Sequence, residues 1–137
     1  MVITGGEPLR QPIELLCELL LQAGYKPQIE TNGTIYRDLP KGTEIICSPK
    51  TTKPKYTRLR EDILPNIAGL KFIVGGSGNY ANINDIGQAD YNIPVYLQPM
   101  DELDNKLTAS NYNRAIKLAL KHKAKLSIQT HKFLDIE

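Results

Sequence analysis

Residues able to do chemistry recur in one context along this chain: polar side chains directly after a short apolar run, with glycine or proline beside them. The first case is Thr4-Gly5-Gly6-Glu7-Pro8, which follows Val2-Ile3. Glycines at such a turn let the backbone approach a ligand and reach positive φ without a Cβ penalty. Glu7 offers a fixed carboxylate suited to an ammonium group or a ribose hydroxyl, and Pro8 presets the start of a helix. Taken alone, Gly-Gly-Glu-Pro fits an ordinary strand-to-helix turn equally well. The second case is Glu30 and Asn32, in Pro27-Gln28-Ile29-Glu30-Thr31-Asn32-Gly33-Thr34. The third is Ser48-Pro49-Lys50 after Glu44–Cys47, where a hydroxyl and an ammonium could hold a carboxylate or a ribose. Gln98-Pro99-Met100-Asp101 is the fourth, and Gln129 with His131 the fifth. A single solvated lysine or a structural histidine is the commoner occurrence, so the repetition carries the reading.

The elements that must position these groups follow from periodicity. Ile13, Leu15, Leu16, Leu19 and Leu20 predict an amphipathic helix over 11–23, closed by Gly24. Strands are expected at 26–30, 44–47, 68–74, 94–97 and 125–129, after the opening one at Val2-Ile3. Between them come a short polar helix near 36–39, a basic loop at 51–60, a flexible Gly75-Gly76-Ser77-Gly78 turn and a weak helix over 79–88. A further helix is predicted over 111–122, capped by Thr108 or Ser110, with Tyr112, Ala115, Ile116, Ala119 and Leu120 on one face. Cys17 and Cys47 read as buried structural thiols. Strand and helix alternate about five times, which predicts an α/β protein with a parallel sheet. Packing sets strand interiors rather than their ends, so polar residues at every C-terminal tip predict one ligand-binding rim.

Composition narrows the partners. The chain has 137 residues, 41% of them hydrophobic and 23% charged, enough for one domain with a core. A formal net charge of +2 gives no footing for a nucleic-acid or membrane partner. No apolar run reaches the roughly 18 residues a spanning helix needs. Two cysteines are too few for a disulfide scaffold, so a reducing cytoplasm is the default location.

In combination the motifs Val-Ile-Thr-Gly-Gly-Glu-Pro, Glu-Thr-Asn-Gly-Thr, Cys-Ser-Pro-Lys, Leu-Gln-Pro-Met-Asp and Ser-Ile-Gln-Thr-His-Lys resemble the 7-carboxy-7-deazaguanine synthases. That family belongs to the radical S-adenosylmethionine (SAM) superfamily, and the resemblance runs from Val2 to His131. It implies a partial, open (β/α) barrel. It also implies SAM contacts from Gly5, Gly6 and Glu7, from Ser48, Pro49 and Lys50, and from Gln98, Pro99, Met100 and Asp101. Glu30 and Asn32 would line the SAM side of the site, and Thr4, Gln129 and His131 the side of a pterin substrate. In the family a 4Fe-4S cluster reduces SAM to a 5′-deoxyadenosyl radical. That radical takes a hydrogen from 6-carboxy-5,6,7,8-tetrahydropterin, and the ring contracts with Mg2+ assistance.

The chain departs from the family pattern at its start. Family members carry a Cys-x3-Cys-x2-Cys loop before the Gly-Gly-Glu strand, whereas Cys17 and Cys47 fall in a predicted helix and a predicted strand. The expectation is a single, incomplete radical SAM core over 1–137 that lacks the first strand-helix unit and the cysteine loop, and is inactive alone. The cluster and Mg2+ ligands are then absent from it. Opening inside a strand suggests an N-terminal segment absent from this form of the polypeptide, or a reading-frame choice at Met1. A bare sheet edge predicts a homodimer. Other radical SAM enzymes, such as an activating enzyme, and a cluster-free nucleoside-binding or interaction domain are the competing readings.

Overall fold

The computed structural model describes residues 1–53, 55–76 and 80–134. Its frame is one six-stranded sheet, all parallel, whose spatial order is the order of the sequence. The strands are β1 (Val2–Ile3), β2 (Gln28–Thr31), β3 (Glu44–Cys47), β4 (Ile67–Val74), β5 (Val95–Pro99) and β6 (Lys125–Leu126). The helices are α1 (Glu14–Gln22), α2 (Gln88–Tyr91), α3 (Asn105–His122) and α4 (Thr130–Leu134).

Every crossover steps the same way, and parallel crossovers share one hand, so the packing elements collect on one face. The order never reverses, which is the winding of a barrel arc and not of a doubly wound sheet. β1 and β6 do not pair with each other, so the arc is open. The covered face carries Ile29, Ile45, Cys47, Leu70, Phe72, Val74 and Leu97, all buried. Leu9, Ile13 and Cys17 pack on Ile29, while Ala115 and Leu118 of α3 join the larger core. The other face carries Gln28, Glu30, Ile46, Lys71 and Tyr96 around a cavity of about 220 Å³. A bulge in β4 keeps both faces consistent: Ile45 pairs with Ile67 but Ile46 pairs with Gly69, leaving Ala68 as the extra residue. On the open face Gly69 leaves room for an aromatic ring, since a Cβ there would lie 2.8 Å from Tyr96 Cε2.

Several boundaries differ from the sequence expectations for identifiable reasons. α1 starts at Glu14 because Gln11 precedes Pro12 and is extended (φ −99°, ψ 151°); a 3-10 turn at Pro8–Arg10 takes the earlier place. Its end is as expected: Gly24 at φ +82°, with the Tyr25 amide on the Leu20 carbonyl and the Gly24 amide on that of Leu21. Residues 36–39 form no helix, because the Arg37 guanidinium is spent on the Leu9 and Arg10 carbonyls and on Glu14. Among the described residues of the helix expected over 79–88, Gln88 alone is α-helical. Asn84 and Asp85 bond to the backbone of Tyr56 and Gly87 instead, fixing the stretch as a loop. α3 begins six residues earlier than predicted: Asp104, not Thr108 or Ser110, is the cap, accepting from the Lys106 and Leu107 amides. Its buried positions are Asn111, Ala115 and Leu118, while Ile116 and Leu120 are exposed. β6 stops at Leu126, and His131 lies in α4. Pro54 in the predicted basic loop, Ser77 and Gly78 in the predicted turn, and Asn79 at the start of the helix expected over 79–88 lie outside the described residues.

Candidate functional site

The C-terminal ends of β1, β2 and β3 lie side by side and enclose a cavity of about 240 Å³. Its lining is Thr4, Gly5, Gly6, Glu30, Thr31, Asn32, Ser48 and Lys50. Three sequence-distant tips meet there because β1, β2 and β3 are neighbours in register: Ile3 pairs with Ile29, and Thr31 with Cys47. Gly5 has φ +130°, and a Cβ at either Gly5 or Gly6 would meet nothing within 4 Å, so the first tip presents bare backbone to open space. Ser48 is buried, its amide held by the Thr31 carbonyl at 2.7 Å; the Lys50 ammonium reaches its hydroxyl at 3.4 Å.

Glu7 sits behind this wall, and its carboxylate is engaged by the protein. Oε1 accepts from the Thr31 hydroxyl at 2.6 Å and the Leu9 amide at 3.2 Å, and Oε2 accepts from the Asn32 amide at 2.8 Å. The free carboxylate expected of Glu7 is therefore an anchor between the first two strand tips. Asn32 closes its own turn, its Oδ1 accepting from the Thr34 amide and hydroxyl. Glu30 is met by the Lys71 ammonium at 2.5 Å. Buried beside this turn, Cys47 has its thiol pushed up to about 12, by burial first and by the Glu7 carboxylate second, with Lys50 opposing.

The remaining predicted site residues lie elsewhere. Pro49 is buried between Ser48 and Lys50 without lining the cavity. Gln98 and Pro99 belong to β5 itself, in register with Ile73 and Val74, and so are not a loop beyond its tip. Met100 lies against the Gly75 backbone, and its carbonyl accepts from Asn111. Asp101 bonds to Lys132 and Thr108, and the Lys132 contact holds its carboxyl below the usual range. His131 is exposed in the first turn of α4, next to half-buried Gln129. None of these lines the cavity at β1–β3. Two residues that the sequence reading passed over take part: Thr31, through Glu7, and Lys71, through Glu30. Lys71 was legible in principle, as a cation inside the apolar run Leu70–Val74.

Among the described residues no three histidine, cysteine, aspartate or glutamate side chains could share a metal ion. Cys17 and Cys47 are both buried and unpaired in disulfides. No described helix is long and apolar enough to cross a membrane.

Comparison with known proteins agrees with the fold. No family model matches the chain. It is 54% identical over its whole length to 7-carboxy-7-deazaguanine synthase of Rickettsia prowazekii, covering 59% of that protein. It is 33% identical over 99% of its length to the enzyme of the same name from Rhodospirillum rubrum, covering 64% of it. In three dimensions it matches the crystal structure of QueE from Escherichia coli with a TM-score of 0.69 and 27% identity. That match covers 93% of this chain and 55% of the other. The chain is accordingly a homologue, from end to end, of about three fifths of a 7-carboxy-7-deazaguanine synthase.

Proposed function

We propose that this chain forms the SAM- and pterin-binding part of a radical SAM enzyme. The reaction is conversion of 6-carboxy-5,6,7,8-tetrahydropterin to 7-carboxy-7-deazaguanine, in queuosine and 7-deazapurine synthesis. One observation carries the reading. Thr4, Gly5, Gly6, Glu30, Asn32, Ser48 and Lys50, drawn from three separate motifs, surround one cavity in a chain whose homologues bear that name.

The donor set fits SAM. Its methionyl group is a zwitterion, and the cavity offers an ammonium and a hydroxyl for the carboxylate, a carboxylate for the amine, and unobstructed glycine backbone between them. Lys50 and Ser48 take the first role and Glu30 the second, while Glu7 holds the wall that Asn32 and Thr31 form. When bound, SAM supplies the hydrogen-abstracting chemistry; the chain's own residues bind and orient it. Thr4, Gln129 and His131 are assigned to the pterin, and Gln98, Pro99, Met100 and Asp101 to the far end of the same ligand rim.

Neither a 4Fe-4S cluster nor Mg2+ fits the described residues, among which no three histidine, cysteine, aspartate or glutamate side chains converge. Because the chain spans less than two thirds of its relatives, we assign those ligands to polypeptide outside these 137 residues. A cytoplasmic location accords with two unpaired thiols. The partner reading is a homodimer. Met1, Val2, Leu15, Leu16 and Leu19, on β1 and α1, are each about half exposed or more. β1 is paired on its β2 side alone among the described residues.

Calorimetric titration with SAM tests the site. Binding in the micromolar to millimolar range is expected, weakened about tenfold in Lys50→Ala, since a charge-assisted bond is worth about 1.5–3 kcal/mol. Binding that is absent, or unaffected by that change, contradicts the reading.

A further inference from the structure

Lys71 sits midway along β4, on the sheet face that the helices leave open, and its ammonium meets a carboxylate two strands away. Nζ lies 2.5 Å from Glu30 Oε1, with the two side chains only 15% and 27% exposed. The register explains the reach. Glu30 pairs with Ile46 and Ile46 with Gly69, so Lys71 stands one same-face position beyond Gly69. Its stem therefore leans back over Ile46 to reach β2. Tyr96, its registered neighbour on β5, has its ring over Gly69 and lines the same cavity as Lys71.

Glu30 is shared by two cavities. It lines the rim cavity of Gly5, Gly6, Asn32 and Lys50, and also the sheet-face cavity of Gln28, Ile46, Lys71, Tyr96 and Ser127. Lys71 lines the second and not the first. A glutamate side chain has several rotamers, and a half-buried ion pair selects one of them. The choice decides where the carboxylate stands relative to a ligand in the rim cavity.

We propose that Lys71 is a positioning residue. It holds the Glu30 carboxylate in the wall between the two cavities, and thereby sets the affinity of the rim cavity for the amine or hydroxyl groups of its ligand without touching that ligand. This rests on the reading of the rim cavity as the SAM site.

Two measurements on the full chain test it. The first needs no ligand: the Lys71 side-chain ammonium resonance in 15N NMR, observable when a fixed ion pair slows proton exchange and identified by its loss in Lys71→Arg. It is expected in the wild type and is expected to vanish in Glu30→Gln. Its absence from the wild type, or its persistence in Glu30→Gln, overturns the proposal. The second is SAM calorimetry on Lys71→Met, Glu30→Gln, the double variant and Lys71→Arg. Lys71→Met is expected to weaken binding about tenfold, Lys71→Arg to stay within about threefold of wild type, and Lys71→Met in the Glu30→Gln background to change it less than about twofold. An equal loss in both backgrounds means that Lys71 acts through the fold and not through Glu30, and overturns the proposal. A wild-type chain that binds no SAM sinks the reading of the rim as a SAM site; the ammonium resonance then still decides whether Lys71 holds Glu30.

Discussion

Glu7 shows how one side chain can tie a site together without facing its ligand. Its two oxygens receive the Thr31 hydroxyl, the Asn32 amide and the Leu9 amide, so the first strand tip, the second strand tip and the 3-10 turn after β1 share one anchor. Removing it leaves the hydroxyl of Thr31, a residue only 2% exposed, without its acceptor. Hydrogen bonds to a charged group are worth about 1.5–3 kcal/mol, and the three here are coupled. Glu7→Ala is therefore expected to lower the unfolding free energy by about 2–3 kcal/mol in urea titration, and Glu7→Gln by about half that. An unchanged urea midpoint for Glu7→Ala would show that the anchor is dispensable.

At the scale of elements, the turn after β2 is fitted against the end of β3. Gly33 has φ +79°, and a Cβ there would fall 2.6 Å from Cys47 Sγ and 3.0 Å from Leu59 Cδ2. Gly33→Ala meets both a left-handed backbone and a filled space, and should cost about 2 kcal/mol or more. Adding Cys47→Ala removes the nearest obstruction but not the φ penalty, so about half the loss should return in chemical denaturation. Full recovery would mean that crowding alone excludes a side chain; no recovery would mean that the backbone conformation alone does. The Asn-Gly turn was legible in the sequence because its chemistry is local, and so were β3, β4 and the glycine end of α1. What escaped the sequence was decided at a distance. The stretch around Tyr36 stays irregular because Arg37 bonds to residues before and within α1. The region of Asn84 is a loop because Asn84 binds the backbone at Tyr56. For the site, the strand-tip motifs placed the candidates at the C-terminal end of the sheet, where the cavity at β1–β3 lies. Nothing local, however, separates the residues at β1–β3, which share a cavity, from Gln98, Asp101 and His131, which do not line it.

For the whole molecule, sequential winding is the controlling fact. An all-parallel sheet in the order of its strands can bury only one face under its crossovers, so the other stays free for polar side chains, and the arc ends in edges. The apolar residues of β1 and α1 line one such edge. Light scattering is expected to find a dimer that Leu16→Glu with Leu19→Glu converts to a monomer; a monomeric wild-type chain refutes the dimer reading. The proposed function depends on SAM binding in the cavity at the tips of β1, β2 and β3. Amide resonances followed by 1H–15N NMR during a SAM titration test it most directly. Saturable shifts are expected at Gly5, Gly6, Asn32 and Ser48, with little movement around the larger cavity lined by residues 36–43. Shifts confined to 36–43, or none at all, would contradict it.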